Sequence, residues 1–232
     1  MLPNMPFLID ALLTGTIDPD FAPGRGDSAI AKRAVTGSRR VSLLGIEGDT
    51  QADLTAHGGR DKAIHHYPGD HYAGWASALG PTPLLGAPGA FGENISTTGM
   101  TEEAVCLGDR YRMGSALVEV AQGRQPCWKQ AHYLGVPKLV ALMVVSGRTG
   151  WYYRVIEEGA VAAGDALVLE DRPCPQWPVA RLFALLIGGK HHGEAAALAE
   201  LGEHVLLAEE WRQRARGLGG AATTGPASGG GA

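Results

Sequence analysis

Cysteine is scarce in this 232-residue chain: Cys106, Cys127 and Cys174 are an odd number, widely spaced and without a Cys-x-x-Cys pair. That pattern argues against a disulfide framework and a thiolate zinc site, and suits a reducing compartment. An excess of positive charge is missing too. With 20 basic and 24 acidic residues, the net charge is −4 and the pI near 6.1. Such a balance argues against whole-surface attraction to nucleic acid or anionic membrane, so an anionic ligand must meet a focused cluster of cations. No apolar run approaches a membrane span, and the start, Met1 to Asp10, lacks a basic leader and meets an acid early; the expectation is a soluble, cytoplasmic protein. Neither a GxGxxG nor a Walker loop occurs, which leaves ordinary nucleotide binding little support. A histidine metal centre is also disfavoured. His57, His65, His66 and His71 crowd one region, yet a strand sends His65 and His66 to opposite faces and no i, i+4 histidine pair falls on a helix.

What the chain does have is 45% hydrophobic residues, enough for a sizeable core. From Phe7 to about Gly45, short apolar runs alternate with turn residues, and Val41 to Ile46 reads as one strand. Ala63 to Tyr67 reads as a strand. Pro68 then opens a helix in which Tyr72, Trp75 and Leu79 share a face. Two Gly-Asp turns, at Gly108-Asp109 and Gly164-Asp165, each lead into alternating residues, as in a barrel-like sheet. Val136 to Val145 is apolar enough for a buried helix, and Trp151 to Ile156 reads as a strand. After Pro173, Pro175 and Pro178 the text turns Ala- and Leu-rich at helical spacing over Val179 to Ile187, Glu194 to Leu201 and Val205 to about Arg216. The expected fold is mainly β (α+β): a barrel-like domain over 1–176, a three-helix appendage over 177–216 and a disordered tail over 217–232.

The stretch Ala121 to Lys129 concentrates the chemistry. Pro126 stops the alternating strand Ser115 to Val120 from running on through a sheet, which leaves Cys127 at a strand end with Arg124 and Lys129 close in sequence. Neighbouring cations favour the thiolate, the form that attacks electrophiles and binds metals; the plainer alternative is a buried, inert cysteine. Lys32, the segment His57-Gly58-Gly59 with Asp61 and Lys62, Arg124, and Arg148-Thr149 could converge on a phosphorylated ligand, because glycines allow close backbone approach and Lys and Arg hold phosphate oxygens. Taken singly, each is as readily a turn or a solvated cation. Glu93-Asn94 could orient a ligand or cap a strand.

These motifs in this order resemble the MOSC domain family, named for the C-terminal domain of molybdenum cofactor sulfurases, and within it the bacterial stand-alone YiiM-like group. The likeness rests on Gly48 to Asp53, His57 to Ala63, Tyr67-Pro68, His71-Tyr72, Trp75, Phe91 to Asn94, Gly108-Asp109, Arg124 to Lys129, Gly147 to Tyr152 and Gly164-Asp165, spanning roughly 28–175. The helical end, with Trp211-Arg212, is similar to the appendage that this group carries. Gln130 stands where the family more often has an apolar residue, a departure that carries little weight at this stage.

The resemblance implies a β-rich barrel that binds the molybdenum cofactor (molybdopterin), with Cys127 as metal ligand and Lys62, Arg124 and Arg148 toward the pterin phosphate. It implies reduction of N-hydroxylated compounds, such as hydroxylamino-purines and amidoximes, with electrons from a separate flavin or iron-sulfur protein. Two other readings stand beside it. One is a carrier that binds the cofactor without turnover; the other is a cofactor-free enzyme using Cys127 as nucleophile with His57 or His132 as base. The apolar faces of the C-terminal helices could pair two chains into a homodimer.

Overall fold

The structure, a computed structural model, describes residues 6–54, 58–80 and 82–223. Among the described residues, the alternation read from the sequence becomes thirteen strands: β1 (Phe7–Thr14), β2 (Asp18–Ala22), β3 (Gly26–Ser28), β4 (Arg33–Ala34), β5 (Arg39–Ser42), β6 (Gly45–Ile46), β7 (Ile64–His66), β8 (Ile95–Thr97), β9 (Arg110–Met113), β10 (Ala116–Gly123), β11 (Trp151–Glu157), β12 (Gly159–Val161) and β13 (Ala166–Asp171). Seven of these close into a barrel in the order β13, β9, β10, β11, β7, β8, β1, because β1 pairs with β13 as well as with β8. All pairings around the ring are antiparallel except the one between β7 and β8. Closure leaves no open sheet edge along the ring. Ile9, Leu12, Ile64, Val118, Val120 and Tyr153 are among the side chains that fill the interior.

The long strand β10 is buried along its whole length, so both of its faces are covered. The inner face meets the barrel core. The outer face meets two of the C-terminal helices α4 (Val179–Leu186), α5 (Ala195–Glu203) and α6 (Glu209–Thr223), namely α4 and α6. Ala208 donates its N–H to the Ala121 carbonyl at 3.0 Å. Trp211 lies so close over Gly123 that a Cβ there would come within 2.8 Å of the indole. The backbone pairing runs on through residue 176, with Leu107 N–H bonded to the Trp177 carbonyl and Val179 N–H to that of Val105. Leu107 of the barrel is part of the helices' own core. Trp211→Ala is therefore expected to cost about 3–5 kcal/mol, the range for truncating a buried tryptophan, read as a lower urea midpoint.

Several sequence expectations change. Val41 to Ile46 is not one strand but a hairpin, β5 and β6, turning at Leu43-Leu44; Gly45 has φ +135, a conformation open to glycine, and the Ser42 hydroxyl donates to the Gly45 carbonyl at 3.1 Å. The apolar run after Val136 forms a helix, numbered below, that is buried on one side alone. The last helix begins at Glu209 rather than Val205 and runs through Gly217, Gly219 and Gly220 to Thr223, with Leu218 packed on the helical core, so 217–223 is not a disordered tail. Adding residues to a formed helix costs little once it is nucleated, which lets glycines follow. The rest of the expected tail, 224–232, and His57 lie outside the described residues.

Among the described residues, α1 (His71–Leu79), α2 (Trp128–Tyr133) and α3 (Leu139–Ser146) precede the C-terminal set. In α3 the buried residues are Leu139 and Met143, whereas Val145 is 88% exposed. A third core joins α1 to Tyr67, Phe91 and the α2–α3 segment. Among the described residues no helix is long and apolar enough to cross a membrane.

Candidate functional site

Strand β10 ends at Gly123, and the next residue, Arg124, folds back under the strand end. Its N–H bonds to the Gly150 carbonyl at 3.0 Å. Three residues on, Cys127 is the N-cap of α2, with extended backbone angles and a half-buried side chain. A cavity open to solvent lies against this thiol. Its walls bring together Lys32, Lys62, Asn94, Arg124 and Cys127, residues from four separate stretches of the chain. His65, Tyr152 and Lys129, with Ser28, Thr50 and Gln51, add to the polar lining, and Ile30 and Ala52 contribute apolar surface.

Arg124 is 4% exposed and makes no ion pair among the described residues. Its guanidinium Nη1 donates to Gln130 Oε1 at 2.6 Å and to the Gln125 carbonyl at 3.2 Å, and Nη2 points to Cys127 Sγ at 3.9 Å. Its Nε is buried without a hydrogen-bond partner among the described residues. A second buried nitrogen on the same wall, His65 Nε2, also lacks one. Burial, and then the charge of Arg124, holds the His65 pKa well below its ordinary value, so this imidazole is neutral at pH 7. Buried polar atoms and an uncompensated buried cation are costly, and both costs fall when an anion with several acceptor oxygens enters.

The remaining cations are held differently. Lys32 donates to Asp49 Oδ2 at 2.7 Å, with side chains 8% and 4% exposed. Burial pushes the Lys32 pKa down, and Asp49 works against that shift. Asp49 also accepts from Asn94 Nδ2 at 2.8 Å and from the Gly15 N–H at 2.8 Å. Asn94 in turn accepts the His65 N–H and donates to the Leu13 carbonyl, so it joins β1, β7 and the cavity wall. Lys62 pairs with Glu210 of α6 at 2.6 Å.

Other expected site residues do not reach the lining. The Glu93 carboxylate is fully buried and accepts the N–H groups of Gly89 and Phe91 and the Tyr72 hydroxyl, which shapes the 89–92 loop. Thr149 is fully buried, and its N–H and that of Gly150 both bond to Glu102 Oε1, at 2.9 and 2.7 Å. The Arg148 guanidinium lies over the Trp75 ring, 5.8 Å from its centroid. Asp61 pairs with Arg154 at 2.8 Å. Gly58 and Gly59 form the turn before Arg60–Lys62, where a Cβ on Gly58 would come within 2.5 Å of the Leu54 carbonyl. These residues hold turns around the cavity rather than its surface. His132, one of the bases considered for a nucleophilic cysteine, is exposed and bonds to the Phe21 carbonyl at 3.0 Å, away from the lining.

Gln130 matters more than its position in the sequence suggested. It is fully buried, accepts from both Arg124 and the Cys127 N–H (3.3 Å), and donates to the Phe91 carbonyl at 3.2 Å. The signal available was a glutamine three residues after a helix N-cap, the spacing of a capping box. Tyr152 and Asp49 entered the sequence reading only within the family resemblance, while His65 was weighed only as a metal ligand and Gln130 only as a departure from the family.

Residues 53–168 match the MOSC domain. The fold is also that of a solved relative, YiiM from Geobacillus stearothermophilus, with a TM-score of 0.76 and 31% identity over 92% of this chain and 100% of that one. The chain belongs to the MOSC domain family. A second similarity is to "Protein YiiM" of Escherichia coli (strain K12), 44% identical over 145 residues, or 62% of this chain; the match spans 65% of that protein, just under two thirds of its length. A protein named "Reductase" from Gibberella moniliformis is 39% identical over 71% of this chain, and the match occupies 29% of it. The MOSC match ends at residue 168, before the helices that cover the outer face of β10.

Proposed function

We propose that the cavity beside Cys127 binds the molybdenum cofactor and that the protein is an oxidoreductase that converts N-hydroxylated compounds to the corresponding amines or amidines. The observation that carries this reading is Arg124: a buried guanidinium with no carboxylate partner among the described residues, set between a cysteine sulfur and an open cavity. The donor set suits the cofactor, because Arg124, Lys62, Lys32 and Lys129 can take phosphate oxygens and Cys127 offers the soft sulfur that molybdenum prefers. When bound, the cofactor supplies the two-electron chemistry. The protein's residues bind and orient it: Gln130 fixes the Arg124 guanidinium and the Cys127 backbone, while Asp49 and Asn94 fix Lys32. The overall change, R–NH–OH plus two electrons and two protons giving R–NH₂ and water, takes its electrons from a separate flavin or iron-sulfur protein. Family membership and the fungal relative's name support a reductase; the buried positions of Cys106 and Cys174, both away from the cavity lining, fit an external electron source.

Protein made in a host that synthesises the cofactor is expected to carry about one molybdenum per chain, as a single thiolate ligand per cavity implies, and protein from a host that cannot make it none. Cys127→Ala is expected to lose both metal and turnover of a hydroxylamino-purine with a chemical electron donor. Full molybdenum content in that variant would sink the assignment of Cys127.

A further inference from the structure

One cation of the cavity wall is held from outside the barrel. Lys62, its side chain 11% exposed, donates to Glu210 at 2.6 Å, and that carboxylate is 58% exposed. Glu210 belongs to the first turn of α6, beyond the residues that match the MOSC domain. Both partners stand on anchored backbone. On one side Ala208 is bonded to Ala121, and Trp211 sits on Gly123. On the other, Asp61 is tied to Arg154, and Arg154 to the buried Glu119 at 3.1 Å. The contact therefore follows from the fold.

The two ion pairs of the cavity differ in kind. The Asp49 side chain is almost fully buried and shared among Lys32, Asn94 and Gly15, which makes it a fixed support behind the wall. Glu210 is more than half exposed, and its carboxylate lies against a cation that also faces the cavity. Its charge is felt inside: burial raises the Tyr152 pKa, and Glu210 adds to the rise. A multiply charged phosphate competes well for such an ammonium, because it brings more negative charge and more acceptor oxygens than a carboxylate.

We infer that Glu210 is a resident counter-ion, which an anionic ligand of the cavity displaces from Lys62, so that filling the cavity loosens the first turn of α6. The ligand class is a phosphate ester or pyrophosphate. The inference rests on the reading of the cavity as an anion site and does not depend on turnover.

The test uses the full chain purified without cofactor, with inorganic pyrophosphate as probe, titrated by calorimetry at low salt. Glu210→Gln is expected to bind about 3- to 10-fold tighter than the wild type, the effect of removing one partly exposed competing charge. Glu209→Gln, whose carboxylate pairs with Arg212 and Arg216 of its own helix, should bind as the wild type does. In a Lys62→Met background, Glu210→Gln should have no further effect. Pyrophosphate should also speed amide exchange in 206–212 of the wild type and leave it unchanged in Glu210→Gln. No pyrophosphate binding by the wild type would overturn the anion-site reading and this inference together. Binding that Glu210→Gln leaves unaltered, with exchange in 206–212 indifferent to the probe, would overturn this inference alone.

Discussion

Gly150→Ala is expected to cost on the order of 4 kcal/mol or more of folding stability, and to disorder the cavity wall before the rest of the barrel. Gly150 has φ +74, where an alanine is strained by about 1–2 kcal/mol. The larger cost is steric. A Cβ at this position would lie 2.1 Å from the His66 carbonyl and 3.1 Å from His65 Nε2, and the first of these neighbours is backbone in the middle of the barrel. Relief would require β7 and β11 to separate where His66 faces Trp151. The same residue accepts the Arg124 N–H and donates to Glu102, so a shift here carries the guanidinium away from Cys127. Urea unfolding measures the first effect, and the rate of Cys127 alkylation the second. A variant with the wild-type midpoint would show that the turn has room the structure denies it.

Acid is expected to destabilise the protein steeply between pH 6.5 and 3. His66 is fully buried, its ring nitrogens bonded to the Tyr153 hydroxyl at 3.1 Å and to Thr97 Oγ1 at 2.9 Å. Burial lowers its pKa from 6.5 to about 3. Between those values the unfolded chain binds a proton that the folded chain does not, so stability is fully present above pH 6.5 and is lost as the pH falls toward 3. The loss from this one group is on the order of 5 kcal/mol. His65, also buried and lowered, acts in the same direction. Glu102 does too: burial would raise its pKa, but the bond to His71 and its charge outweigh that and lower it, so its contribution is lost in acid. Glu93 acts oppositely, because burial raises its pKa and its protonation favours the folded state as the pH falls. Stability measured by urea at pH 7, 5.5 and 4.5 should fall throughout, and His66→Gln should make the fall shallower by up to about 1.4 kcal/mol per pH unit. Equal slopes for the two proteins would contradict a buried neutral imidazole at this position.

Both predictions concern residues whose importance the sequence only half disclosed. Cys127, Arg124, Lys32, Lys62 and Asn94 could be gathered by asking which side chains serve an anion beside a thiol, and they share one wall. Glu93, Thr149, Arg148 and Asp61 satisfy the same chemical question and turn elsewhere: Glu93 to backbone N–H groups, the Thr149 N–H to the Glu102 carboxylate, Arg148 to an aromatic face and Asp61 to a neighbouring arginine. A polar side chain beside a glycine turn serves either the turn or a ligand, and residue type does not separate the two. Gln130 shows the reverse error: a departure from the family's usual residue, given little weight, proved to be the buried amide that connects Arg124, Cys127 and Phe91.

By itself the sequence determined the kinds of element and that the strand stops before Pro126, because alternation, helical spacing and proline act over a few neighbouring residues; that Cys127 then caps a helix came from the structure. The family followed from separated motifs that keep their order along the chain. Tertiary structure alone decided which charges meet. Lys62 and Glu210 are 148 residues apart, and Arg124 and Gly150 come together at the end of the β10–β11 pairing, where Gly123 faces Trp151. Burial then settled what each group does, since removal from water turns an ordinary imidazole into a neutral one and leaves a guanidinium in need of an anion.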